Sequence, residues 1–279
     1  MHPVPRPLLR LALIPLLTLL LAVAAPAVMA GETPDSLAAR YAHEVDRRLT
    51  LPADEVQRYG ALALQALRAA AVAPLLPQYL VLVDRSPQVQ ALLLLWLVPD
   101  AEPVLIGASP VSTGRGGEYE YFETPTGVFE HSTANPDFRA EGTYNEHGIR
   151  GFGVQGMRVF DFGWQPARRT WDGGGISSMR LLLHATDPER LEPLLGSAQS
   201  KGCIRLPATL IRLLDRYGVL DADYEAALRA GQHFWVLPPQ RTPVPGAGRY
   251  LVIVDTERST RPAWSPSPVA PAVRGPNGS

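Results

Sequence analysis

Tyr79-Leu80-Val81-Leu82-Val83-Asp84-Arg85-Ser86-Pro87 opens the stretch that decides the fold. An uncharged apolar run ends in a cluster of turn residues. Leu92 to Val98 repeats the pattern and stops at Pro99-Asp100, and Val104 to Val111 is a third run. Gly127-Val128-Phe129-Glu130 suggests a fourth. Short apolar runs bounded by turn signals, with no helical period between them, read as strands of a β-rich sheet or sandwich.

Upstream the period changes. Leu37, Tyr41 and Val45 recur at helical spacing, with Asp35 placed to cap the start. A second helix begins near Pro52-Ala53-Asp54, continues through Val56, Tyr59, Leu67 and Ala71, and is ended by Pro74 and Pro77. Residues 31–75 are therefore expected to be a helical packing or spacer segment. Before them, Arg6 and Arg10 precede an apolar run from Leu11 to Ala25, followed by Ala27-Val28-Met29-Ala30. That is the layout of a secretory signal peptide over residues 1–30. The run is short for a membrane span of roughly 20 residues. Export to a bacterial periplasm or cell envelope is the expectation, with membrane attachment only if the signal stays uncleaved.

Downstream, residues 131–179 are rich in Gly, Asn, Asp, Arg and aromatics, and read as long functional loops or a lid. Met179 to His184 is a strand candidate, and Asp187 to Leu195 a helical turn or loop. Pro207 suits a first helical position, Leu210, Ile211, Leu214 and Tyr217 form the stripe, and Gly218 stops it. His233 falls in an apolar stretch read as a strand. Tyr250 to Val254 is a last strand candidate, and beyond Thr260 the Pro-rich composition looks disordered. The expected organisation is a signal peptide (1–30), a helical segment (31–75), a catalytic domain (76–240) and a C-terminal strand with a disordered tail (241–279). A net charge of −1 argues against a nucleic-acid partner.

The chemistry centres on Ser200-Lys201-Gly202-Cys203-Ile204-Arg205, which holds the only cysteine and the only lysine of the chain. An exported cysteine with no partner in its own chain is a candidate nucleophile, with a buried core thiol as the plain alternative. Nearby positive charge favours the reactive thiolate. His184, at the end of its strand, is the candidate base.

These segments resemble a known family. His184-Ala185-Thr186-Asp187, then Ser200 to Leu206, are similar to the signature of L,D-transpeptidases with a YkuD-type catalytic domain. Val111-Ser112-Thr113-Gly114 and Thr124-Pro125-Thr126-Gly127-Val128-Phe129 match a second block, and the resemblance spans roughly 78–238. It implies a mainly β fold with some α: a β-sandwich-like catalytic domain preceded by the small helical segment. It also implies peptidoglycan biosynthesis, cell-wall organisation and a role in cell shape, with no cofactor and no metal. Cys203 would attack the L,D peptide bond of a stem tetrapeptide and carry the acyl group as a thioester to an amine. His184 would be the general base, with its ring oriented by the Ala185 carbonyl. The Cys203 amide, with a neighbour such as Gly202, would bind the oxyanion. Arg205, Ser200, Lys201 and Thr126 are substrate-side candidates. Arg205 either pairs a substrate carboxylate or braces the loop, Lys201 either lowers the thiol pKa or points to solvent, and Thr126 and Ser200 suit loop bracing. Acceptors left open are a second stem, an outer-membrane lipoprotein, a free D-amino acid and water. The competing readings are an L,D-carboxypeptidase or amide hydrolase, and a non-catalytic wall-binding module.

Overall fold

Strand β1 (Gln78–Asp84) is buried on both faces, and that explains its unbroken apolar sequence. Tyr79, Val81 and Val83 enter one hydrophobic core, while Leu80 and Leu82 enter another. The computed structural model of the chain describes residue 2, residues 33–72 and residues 76–267. The expected signal peptide, His2 apart, and residues 268–279 lie outside the described residues.

β1 pairs antiparallel with β2 (Ala91–Leu97), which pairs with β3 (Val104–Pro110). On its other side β1 runs parallel to β9 (Tyr250–Val254), which pairs antiparallel with β4 (Gly127–Glu130). These strands form a mixed five-stranded sheet ordered β3-β2-β1-β9-β4. A second mixed sheet has the order β5-β6-β7-β8, from β5 (Phe138–Arg139), β6 (Arg158–Arg169), β7 (Gly175–Ala185) and β8 (Ile204–Leu206). Residues of both sheets share the larger core: Val81, Val83 and Leu92 from the first, and Phe160, Leu181, Leu183, Ile204 and Leu206 from the second. The protein is thus mainly β with a few helices, and a helical segment precedes the strands.

Helices α1 (Pro34–Glu44) and α2 (Ala53–Ala69) close this arrangement. Thr33 caps α1 by accepting the Ser36 N–H. Tyr41 of α1 lies so close to β3 that a Cβ on Gly107 would stand 2.3 Å from its ring, so only glycine fits there. Tyr59, Ala63 and Leu67 of α2 cover the outer face of the first sheet.

Three expectations need correction. The 131–179 region is not all loop, because β6 occupies its second half and β7 begins at Gly175. Neither β8, which lies between Cys203 and α3 (Ala208–Arg216), nor α4 (Ala222–Arg229) carried a stated signal. His233 lies in an irregular segment, not a strand. Residues 261–267, read as disordered, are docked. Trp264 packs edge-on against Tyr59 with centroids 5.8 Å apart, and Arg261 donates to the Pro87 carbonyl at 2.8 Å.

Candidate active site

The parallel pairing of β7 with β8 builds the site. The register matches Leu183 with Ile204, His184 with Arg205 and Ala185 with Leu206. One step back, Cys203 stands opposite Leu182. Paired residues point to the same face and successive residues alternate. Cys203, Arg205 and His184 therefore share one face of the strand pair, with Cys203 and His184 as diagonal neighbours.

His184 is 3% exposed. Its Nδ1 lies 2.5 Å from the Ala185 carbonyl oxygen, which can only accept, so Nδ1 carries the proton and Nε2 keeps its lone pair. Burial lowers its pKa to about 4, the Ala185 bond opposes this, and the nearby Arg205 charge adds to it. The ring is neutral at ordinary pH. Phe152 stacks edge-on against it at 4.8 Å. Phe152 also lines a cavity of about 390 Å³ with Phe138, Tyr144 and Gly153. Phe152, from the expected loop or lid region, thus lies against the histidine.

Cys203 is half-buried, and its Sγ donates to the Arg180 carbonyl at 3.6 Å. Burial pushes the thiol pKa up, against the Leu182 N–H and the Arg205 charge. The resting pair is thus thiol and neutral imidazole, not a preformed ion pair.

The cysteine loop is pinned from below. Thr124 Oγ1 donates to the Gly202 carbonyl at 2.6 Å and accepts the Gly114 N–H at 2.8 Å. Ser200 Oγ donates to the Cys203 carbonyl and accepts the Gly202 N–H at 3.1 Å. Thr113 accepts the Ser200 N–H at 2.9 Å through its own carbonyl, and Gln90 holds Thr113 through side-chain bonds of 2.8 Å. Gly202 has φ +129°, and a Cβ there would stand 2.6 Å from Met179 Sδ. The positive φ calls for glycine at this position, and a Cβ would also displace the Met179 side chain.

Several sequence assignments change. Gly202 cannot offer its N–H to an oxyanion while Ser200 holds it. Thr126 is exposed, and Thr124 does the bracing. The Thr-Pro-Thr block signalled a bracing threonine, but only the fold selects the buried one. Ser200, named as a substrate-side candidate suited to bracing, bonds within the loop to Cys203 and Gly202. Lys201 points neither at the thiol nor freely into solvent. It pairs with Glu120 at 2.9 Å and lies 5.5 Å from the Tyr121 ring centroid. Arg205 donates to the Gln199 carbonyl at 3.2 Å, which is loop bracing, yet it sits close enough to act electrostatically on Cys203 and His184.

A second buried histidine, His131, directly follows β4 of the other sheet. His131 Nδ1 lies 2.8 Å from the Leu220 carbonyl and Nε2 2.8 Å from Asp137 Oδ1. Both partners are acceptors, so both nitrogens carry protons and the ring is an imidazolium. Asp137 also binds Arg158, which forks onto Asp221, and Arg241 binds Asp221 as well. Asp137 accepts the Asp161 N–H, and the Asp161 carboxylate binds Arg180 beside the cysteine.

Residues 78–244 match the family model of the YkuD-type L,D-transpeptidase catalytic domain. This is more than half of the 279 residues, and the chain belongs to that family. Among curated proteins none matches the chain. The match ends before β9, although β9 lies inside the five-stranded sheet.

Proposed function

We propose that the protein is an exported peptidoglycan L,D-transpeptidase with Cys203 as nucleophile and His184 as general base. The observation that carries this reading is the β7–β8 register within the family-matched segment. It sets the only cysteine diagonally beside a buried histidine whose Nδ1 is fixed by the Ala185 carbonyl.

The chemistry follows from the resting protonation. As Cys203 Sγ attacks the carbonyl between the L- and D-centres of a stem tetrapeptide, its proton passes to His184 Nε2. The tetrahedral oxyanion is met by the Cys203 N–H, since Gly202's is committed to Ser200. The C–N bond then breaks, His184 protonates the departing D-amino acid amine, and a thioester remains. An acceptor amine attacks the thioester and gives its proton to His184. The new amide forms, the thiolate leaves, and the proton returns to sulfur. A rigid base is needed in both halves, and the Ala185 bond supplies that rigidity. The acceptor amine belongs to a second stem peptide or to a protein, and the chemistry is the same for both.

Intact-mass spectrometry after incubation with a disaccharide-tetrapeptide tests the reading. The unsubstituted protein should gain the mass of the donor less its terminal D-amino acid, and Cys203→Ala should gain nothing. An adduct that persists in Cys203→Ala would sink the assignment. Muropeptide chromatography of tetrapeptide-rich sacculi then reads the acceptor, because cross-linked dimers and trimmed tripeptides elute separately.

A further inference from the structure

Strand β7 has an unpaired edge next to the nucleophile. β8 covers β7 only at Leu183–Ala185, so the stretch from Gly175 to Leu182 has β6 on one side and no strand on the other.

Three observations fix which main-chain groups face that edge. Antiparallel pairs alternate between hydrogen-bonded and non-hydrogen-bonded. Pro166 of β6, which has no N–H, stands opposite Ser178, as suits a non-hydrogen-bonded pair. Arg168, opposite Ile176, turns its carbonyl away from β7 and accepts the Glu123 N–H at 3.0 Å. Arg180, opposite Trp164, turns its carbonyl away from β6 to meet Cys203 Sγ. Ile176, Ser178 and Arg180 therefore all aim N–H and C=O away from β6. Among the described residues, only the Arg180 carbonyl is met there, and it is met by the nucleophile itself.

From Ile176 to Ser178 this edge carries no blunting side chain. Natural edge strands are blunted by Pro, Lys or short length. β7 contains no Pro and no Lys, and carries Ile176 at 70% exposure with Ser177 and Ser178 exposed beside it. The Arg180 guanidinium, which could close the edge, is instead bound to Asp161.

We infer that the β7 edge from Ile176 to Arg180 is the docking strand for the donor. The main chain of the stem peptide adds to it as an extended strand and delivers its scissile carbonyl to Cys203. The inference rests on the function proposed above. The edge is continuous with the nucleophile, and its length of roughly 13 Å takes about four residues at 3.3 Å each. Strand addition of this kind draws affinity from main-chain hydrogen bonds.

Ser178→Pro is the test, because it removes one edge N–H without touching the β6 ladder. Steady-state turnover of a disaccharide-tetrapeptide should show KM raised about fivefold to tenfold, the worth of one such bond, with kcat little changed. Ser178→Ala, which loses the same hydroxyl but keeps the amide, should recover the KM. Alkylation of Cys203 by iodoacetamide needs no edge and should proceed at the unsubstituted rate in Ser178→Pro, showing an intact site. Ile176→Pro, two residues along the same edge, should raise KM in the same way. Unchanged KM in both proline variants overturns the docking strand while leaving the function standing. Equal losses in Ser178→Pro and Ser178→Ala also overturn it, because the hydroxyl then matters and not the amide. Absence of tetrapeptide turnover in the unsubstituted protein overturns the proposed function, and the docking strand with it.

Discussion

The molecule buries two histidines, His131 at the end of β4 and His184 in β7, and treats them in opposite ways. His131 has an acceptor at each ring nitrogen and is held charged. Burial alone would push its pKa down, but Asp137 outweighs burial and raises it. His184 has a single carbonyl at Nδ1 and no carboxylate, so burial wins and the pKa falls to about 4. A charge locked between two acceptors holds structure together, because it has no proton to exchange without losing a bond. A neutral ring with one free lone pair is suited to moving a proton. The number of acceptors around each ring, not its burial, separates a structural histidine from a candidate base.

Substituting each histidine should separate the two roles. His184→Ala is expected to lower turnover by about 10²–10⁴, with stability changed by no more than an ordinary small cavity. His131→Ala is expected to cost about 3–5 kcal/mol in denaturant unfolding, because it breaks a buried pair, while the protein that remains folded keeps its turnover. If His131→Ala abolished turnover in folded protein, or His184→Ala left it intact, the contrast would collapse.

The pH dependences should diverge as well. With a base at about 4, kcat/KM should stay flat as pH falls from 7 to 5 and drop near pH 4. A limb near the ordinary histidine value of about 6.5 would mean that burial does not govern His184. For His131 the sign is reversed. Its folded pKa lies above the ordinary value, so its contribution is complete below about 6.5 and is lost as pH rises through the folded pKa. Burial would raise the Asp137 carboxyl, but His131 and Arg158 hold it down. Its contribution is therefore present above the ordinary carboxylate range and lost as pH falls through its folded value. The stability gap between the unsubstituted protein and His131→Ala should narrow as pH is raised.

The same contrast explains what the sequence reveals. Cys203 and His184 are legible because their chemistry is local: each stands at a strand end, inside short segments that resemble a family signature. β1 is legible because burial on both faces makes its middle, Tyr79 to Val83, an unbroken apolar run. β6 is not, because Arg158 and Asp161 are buried charges whose partners lie on other elements, and Gly163 and Pro166 read as breakers. Its strand character rests on pairing with β7, a non-local fact. His131 is hidden for the same reason, since Asp137 and Leu220 become its partners only on folding. The choice of Thr124 over Thr126 and the docking of Trp264 on Tyr59 depend equally on contacts that no local pattern encodes.

Between these extremes lies the bracing of the cysteine loop. Thr124→Val keeps the shape but leaves the Gly202 carbonyl and the Gly114 N–H without their partner. A loss of about 1–3 kcal/mol in stability is expected, with turnover reduced as the loop loosens. Thr126→Val, on the exposed residue, should stay within about 0.5 kcal/mol in the same unfolding assay.

The smallest effect is expected at Lys201, whose role the sequence left open. Lys201 stands two residues before the nucleophile, and a cation there suggests an activated thiolate. The fold turns that side chain away, into an ion pair with Glu120 in which both partners are more than half exposed. Exposed pairs of this kind contribute about 0–1 kcal/mol. The positive charges that act on the thiol are those of Arg205 and Arg180, and burial outweighs them. Lys201→Gln should therefore leave turnover within about twofold and leave unmoved the pH at which iodoacetamide alkylation of Cys203 rises, since about 0.4 kcal/mol corresponds to that factor. An upward shift of that alkylation profile would restore the lysine as an activator. It would also mean that the Glu120 pair opens in solution, making the protonation of Cys203 depend on loop motion rather than on burial.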